Sequence, residues 1–200
     1  MNRFHFITIG LPLMALAACL QAQAAEPFRK EIDIEGAHFL VEANDPAAPR
    51  QLKITASGLK APGETVTLTR DIEGTVTGAM VGNLDADGNP EIFVLTQSPD
   101  GDGRVNLVVY EVDRDVGLSP IYFPPLVDDR RNSQGYKGQD HFAVEGNSLV
   151  QSFPVYKSDG AHARSTGKDR KIYYTLSPDD DSNRLALQRG KLMLQKVVQF

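Results

Sequence analysis

The chain has 200 residues, of which 41% are hydrophobic and 24% charged, with a net charge of −5. That composition holds enough apolar material for a real core, and its acidic balance argues against nucleic acid and anionic membranes as partners and for a basic protein. The one cysteine, Cys19, excludes an intramolecular disulfide.

The first element is a leader. Met1-Asn-Arg-Phe-His-Phe6 is a short basic start, Ile7 to Ala18 is apolar, and Ala22-Gln-Ala24 is a small-x-small cleavage site. This is the anatomy of a secretory signal, and Gly10 and Pro12 interrupt a run already too short for a membrane span. Removing residues 1–24 takes away Arg3 and no acid, leaving 176 residues with 20 basic against 26 acidic side chains, a net charge of −6. Residues 25–200 are then expected to form a single domain exported to the periplasm. Leu16-Ala-Ala-Cys19 resembles a lipobox, so a second reading has Cys19 lipidated and the domain held at a membrane. The later cleavage site favours the soluble product.

Strand signals follow in series. Phe28 to Glu35, His38 to Ala43 and Leu52 to Ala56 alternate apolar and polar residues, and Val66 to Thr69 and Thr75 to Met80 continue the pattern. Glu91 to Leu95 and Val105 to Val112 are rich in β-branched and aromatic residues. Phe142 to Val144, Leu149 to Val155, Lys171 to Leu176, Arg184 to Gln188 and Lys191 to Phe200 complete the set, with Gly146-Asn147 as a tight hairpin turn. No segment carries a helical stripe. Many short strands punctuated by Gly and Pro predict an all-β fold, an antiparallel β-sandwich or flattened barrel. Two polar stretches, Pro124 to Asp140 and Lys157 to Asp169, are expected to be surface loops.

Candidate sites lie in the turns. Asn83, Asp85, Asp87 and Gly88 match the opening of an EF-hand calcium loop, but its twelfth position is Val94 instead of glutamate. Without that ligand the expectation is no metal and a turn whose acids bond local backbone amides. Ser98-Pro-Asp-Gly-Asp-Gly-Arg104 joins two strands and must turn, presenting Asp100, Gly101, Asp102, Gly103 and Arg104 from a rigid scaffold. In Asn132 to Phe142, Gly135 and Gly138 flank Tyr136, which either projects as an interface aromatic or folds back on the core edge.

Catalytic patterns are missing from the sequence. There is no Gly-x-Ser-x-Gly elbow, no His-Glu-x-x-His and no phosphate-binding glycine loop. His38 lies on a strand and reads as structural, His141 opens another strand, and His162 belongs to a polar segment. Asp100 and Asp102 on an exposed tip lack the burial that raises the pKa of an acid catalyst. The expectation is a protein that binds and uses no cofactor.

Several segments together resemble the family of periplasmic inhibitors of invertebrate-type lysozyme. They are Asn83 to Ile92, Leu107-Val-Val-Tyr110, Pro124-Pro-Leu126, Gly135-Tyr-Lys-Gly138 running into Phe142-Ala-Val144, Leu149 to Tyr156, Tyr173 to Leu176 and Val197 to Phe200. The similarity covers most of residues 75–200. It implies a β-sandwich that lodges a loop in the lysozyme cleft and hydrogen-bonds the catalytic carboxylates. The family's Ser-Gly-x-Tyr motif falls by position at Gly101-Asp-Gly-Arg104, where Gly101 replaces the serine and Arg104 the tyrosine. Arg104 is therefore the expected contact, because a guanidinium pairs bidentately with a carboxylate. Asp100 and Asp102 oppose it by repulsion from the same acids. Ser133 and Tyr136 share the serine-to-tyrosine spacing and form a second candidate contact. The changed loop also supports a rival reading, a non-inhibitory module that binds cell-wall glycan or another envelope protein. The oligomeric state is left open.

Overall fold

The computed structural model describes residues 27–44, 50–58, 64–113, 117–159, 162–178 and 190–200. The expected leader and cleavage site, Cys19 and the strand expected at Arg184 to Gln188 lie outside the described residues.

The fold is all-β, with twelve strands in two sheets among the described residues. The first sheet holds β1 (Phe28–Ile34), β2 (Ala37–Ala43), β3 (Gln51–Ser57) and β4 (Thr65–Asp71) as antiparallel neighbours in chain order. The second holds β5 (Thr75–Gly82), β6 (Glu91–Gln97), β7 (Val105–Asp113), β8 (Gly117–Tyr122), β9 (His141–Glu145), β10 (Ser148–Asp159), β11 (His162–Pro178) and β12 (Gly190–Gln199). Its spatial order is β5-β6-β7-β8-β12-β11-β10-β9. This eight-strand sheet curls into a nearly closed barrel. Its two outer strands approach each other at Gly82, where a Cβ would stand 3.0 Å from a Val144 methyl. β8 and β12 pair in parallel over two residues, the one parallel pairing among the described residues.

Two cores share a wall. The inner residues of the first sheet, Phe39, Val41, Leu52 and Ile54, pack on Ile92, Val94, Tyr110 and Val112. The barrel interior is filled by Phe93, Val109, Leu149, Phe153, Ile172, Tyr174 and Leu192. Successive side chains of a strand point to opposite faces, so Ile92 and Val94 serve one core and Phe93 the other. This explains why β6 is apolar at consecutive positions: both its faces are covered. Polar links cross between the sheets: Lys30 Nζ donates to the Ala79 carbonyl at 2.7 Å, Arg70 Nη1 to the Tyr110 hydroxyl at 2.8 Å, and Asn83 Nδ2 to Glu35 Oε2 at 3.0 Å.

Strand positions follow the sequence pattern closely, including the Gly146-Asn147 turn with Gly146 at φ +58°. Two segments differ. The described part of Lys157 to Asp169 is strand and not loop: β10 runs to Asp159 and β11 starts at His162, paired antiparallel with a register shift after Val155. Gly117–Tyr122 is a strand although the sequence pattern does not single it out. Pro120 is tolerated there because β8 pairs along one edge with β7 and barely at all along the other. His38 is a cross-strand surface partner, its Nδ1 2.7 Å from Asp33 Oδ1, in the structural place expected of it.

Candidate functional site

The two glycine-rich loops singled out by the sequence meet at one rim of the barrel. The first is the β6–β7 hairpin loop, residues 98–104, closed by Ser98 N–H donating to the Arg104 carbonyl at 2.9 Å. Its tip is free: Asp100 and Gly101 are exposed, and a Cβ at Gly101 would meet nothing within 4 Å. Its base is clamped. Gln139 N–H donates to the Gly103 carbonyl at 2.7 Å, and Val105 N–H to Asp140 Oδ2 at 3.1 Å.

Arg104 stands on the outer side of that base, half-exposed, with Nε 3.1 Å from Asp102 Oδ2. Asp102 also accepts the Arg104 backbone N–H through Oδ1 at 3.0 Å. Hence Asp102, expected to repel a partner's acids, has its charge matched locally. The ion pair uses Nε and leaves the two terminal nitrogens of the guanidinium as donors for another carboxylate. Beside Arg104 a groove of about 240 Å³ runs between Leu107, Phe123 and Leu126, over Tyr136 and Gln151.

The second loop, between the short 3₁₀ turn Leu126–Asp128 and β9, is built around two charged groups. Asp129 accepts the Arg131 and Asn132 N–H groups through Oδ1, each at 3.1 Å, and Asn132 Nδ2 through Oδ2 at 2.7 Å. These donors, the Asn132 side chain first, hold its carboxyl below the ordinary aspartate range. From below, Arg170 Nη1 donates to the carbonyls of Asn132 and Gln134. Ser133 is half-buried inside this turn, its carbonyl accepting the Tyr136 N–H at 3.0 Å.

Tyr136 takes the inward of its two placements. Its ring packs edge-on against Phe153 at 4.8 Å between centroids, and its hydroxyl donates to Asp140 Oδ2 at 2.6 Å. It is a brace and a groove wall, the second of the two placements that the sequence leaves open. Burial, and then the bond to the Asp140 carboxylate, raise the phenol above its ordinary range, so it remains a donor at any physiological pH. Tyr136→Phe keeps the ring and deletes that charge-assisted bond. We expect it to lower the unfolding free energy by about 1.5 kcal/mol in urea titration, with no change in far-ultraviolet circular dichroism.

Asp140 is the residue that sequence reading passed over. It accepts Val105 N–H, the Tyr136 hydroxyl and Gln151 Nε2, the last at 2.7 Å through Oδ1. Gln151 in turn accepts the buried Tyr174 hydroxyl at 2.9 Å. One carboxylate thereby ties both loops to the barrel wall. An aspartate before a strand is an unremarkable residue, and its partners are up to 35 positions away, so no local signal marks it.

The Asn83–Glu91 turn lies apart from this rim. Asp85 Oδ1 accepts the Asp87 N–H at 3.2 Å, and Asp87 Oδ1 the Asn89 N–H at 2.7 Å, the turn chemistry expected of these acids. Glu91, which closes the turn, is fully buried; Oε2 accepts the Leu84 N–H at 2.8 Å, while Oε1 has no partner. The buried Asn83 Oδ1 has none either. Burial, followed by the nearby charges of Asp85, Glu111 and Asp87, pushes the Glu91 carboxyl up to about 8. Among the described residues, no three carboxylate, imidazole or thiol groups stand already gathered for a metal.

Comparison with protein-family models, with curated proteins and with solved structures found no match.

Proposed function

We propose that this chain is an exported binding protein that inhibits lysozyme, invertebrate-type first, by lodging the tip of the residue 98–104 loop in the enzyme's cleft. The observation that carries the reading is an exposed tip on a clamped base. Asp100 and Gly101 are exposed while Gly103 and Val105 are bonded to the neighbouring loop. A plug ordered before binding loses little conformational entropy on docking. A glycosidase cleft holds two essential carboxyl groups, and occupying them removes both acid and nucleophile or base. Arg104 is the group to reach them: Nε stays on Asp102 and the terminal nitrogens bridge to the partner's acid. The net charge of −6 on the mature chain steers a basic enzyme toward it.

The test is a peptidoglycan-lysis assay with the mature protein titrated against an invertebrate-type lysozyme. Lysis is expected to fall with a saturable dose dependence. Arg104→Ala is expected to weaken inhibition by about 10- to 100-fold, the worth of a charged hydrogen bond, with an unchanged thermal midpoint. Equal inhibition by wild type and variant removes Arg104 from the contact. The replacement of serine and tyrosine by Gly101 and Arg104 favours the second reading, an envelope-binding module. Undiminished lysis together with retention on glycan is its signature, and lysis by the protein alone marks a hydrolase.

A further inference from the structure

We propose that the Asn83–Glu91 turn is a calcium site, with Glu91 supplying the carboxylate that an EF-hand loop places at its twelfth position. This inference does not rest on the lysozyme reading. Counting Asn83 as the first position, Asp85 is third, Asp87 fifth, Asn89 seventh and Glu91 ninth, the odd positions from which such loops draw ligands. Gly88 occupies the sixth, where the chain turns sharply, and has φ +84°.

Spacing and acidity alone describe a turn. The independent observation is the pair of orphaned oxygens, Asn83 Oδ1 and Glu91 Oε1, each shielded from solvent and without a hydrogen-bond partner. A buried polar atom of this kind costs free energy unless something satisfies it. The Glu91 side chain is fully buried and aimed into the turn, because its other oxygen holds the backbone N–H of Leu84 inside it. The Asn83 amide is oriented from the opposite side by Nδ2 donating to Glu35 at 3.0 Å. Both oxygens thus belong to the loop that also carries Asp85 and Asp87, which are exposed and give an ion its way in.

The charges agree. Asp85, Glu111 and Asp87 each bear negatively on Glu91, and a cation held among them relieves that repulsion. The donors are all oxygen, which selects hard cations. A flexible loop of carboxylate, amide and backbone oxygens suits calcium, whose geometry is forgiving, better than magnesium, which demands a tight octahedron. The carboxylates are not gathered beforehand, so binding draws Asp87 away from Asn89 Nδ2, which it now accepts at 2.7 Å.

The experiment uses the mature protein stripped with chelator and titrated with calcium chloride, followed by calorimetry and by thermal melting. One saturable site is expected, and at 100-fold excess over the dissociation constant the midpoint should rise by about 5–10 °C. Magnesium is expected to give a smaller rise. Asp85→Asn, at an exposed position, and Glu91→Gln should both fold and lose most of the calcium-dependent rise. The proposal is overturned if the wild type shows neither heat nor shift at millimolar calcium. It is overturned equally if the shift survives in both variants, or if magnesium matches calcium.

Discussion

Gly138→Ala is expected to lower the unfolding free energy by about 3 kcal/mol or more, while Gly101→Ala, in the neighbouring loop, lowers it by about 1 kcal/mol. Both glycines have left-handed backbones, at φ +77° and φ +67°, so both substitutions carry the same backbone strain. They differ in what a methyl group meets. At Gly138 it would stand 2.6 Å from the Gly103 carbonyl carbon and 2.7 Å from the Asp102 oxygen, both backbone atoms that cannot swing aside. At Gly101 it meets open space. Relief at Gly138 requires the loops to part, which breaks the bonds from Gln139 N–H to Gly103 and from Val105 N–H to Asp140. Urea midpoints of the two variants check this, and near-equal losses would show that the loops are not clamped. On the proposed function, Gly138→Ala also weakens inhibition, because a released base no longer presents an ordered tip.

In chelator, the stability of the wild type is expected to fall by about 4 kcal/mol between pH 4.5 and pH 8.5, relative to Glu91→Gln. The sign follows from proton binding. Glu91 titrates at about 8 in the folded chain, against 4.5 for an ordinary glutamate, so between these values the folded state holds the proton that the unfolded state has released. Stability therefore declines as pH rises through this window and is fullest below it. Glu91→Gln keeps an oxygen for the Leu84 N–H and carries no charge, so its curve lacks this component. Guanidinium unfolding at a series of pH values, with the variant subtracted, isolates the effect from other carboxylates. Parallel curves for the two proteins would mean that Glu91 ionises freely in the folded chain. Calcium added at pH 8 is expected to restore the lost stability, as the cation takes the place of the proton.

The strands most legible in the sequence are those whose two faces see different surroundings. β2 and β3 alternate strictly because one face packs on the shared core and the other meets water. β6 was legible for the opposite reason, a continuous apolar run bounded by turn residues. The outer arms of β10 and β11 were not legible. Lys171 pairs with Ser152 where β9 and β12 still flank the hairpin, but Arg164 pairs with Lys157 beyond the end of β9, where Lys157, Ala163, Arg164 and Ser165 are exposed and any polar residue serves. Pairing there is held by backbone hydrogen bonds, which leave no hydropathy pattern. β8 escaped notice because Pro120 and Ser119 break the run, and only its position on a sparsely paired edge makes them acceptable.

By itself the sequence determined the all-β class, most strand positions and the turns, since each depends on neighbours within a few residues: side-chain alternation, or a glycine where φ is positive. It also placed Arg104 on an exposed loop and grouped the acids of the Asn83–Glu91 turn. Only the tertiary structure decided that Tyr136 points inward and that Asp140 joins two loops. It likewise decided that Glu91 is a buried acid with one oxygen unsatisfied. Each of these depends on which strands lie side by side once the eight-strand sheet curls. That closure brings together residues tens of positions apart, whose meeting no local pattern encodes.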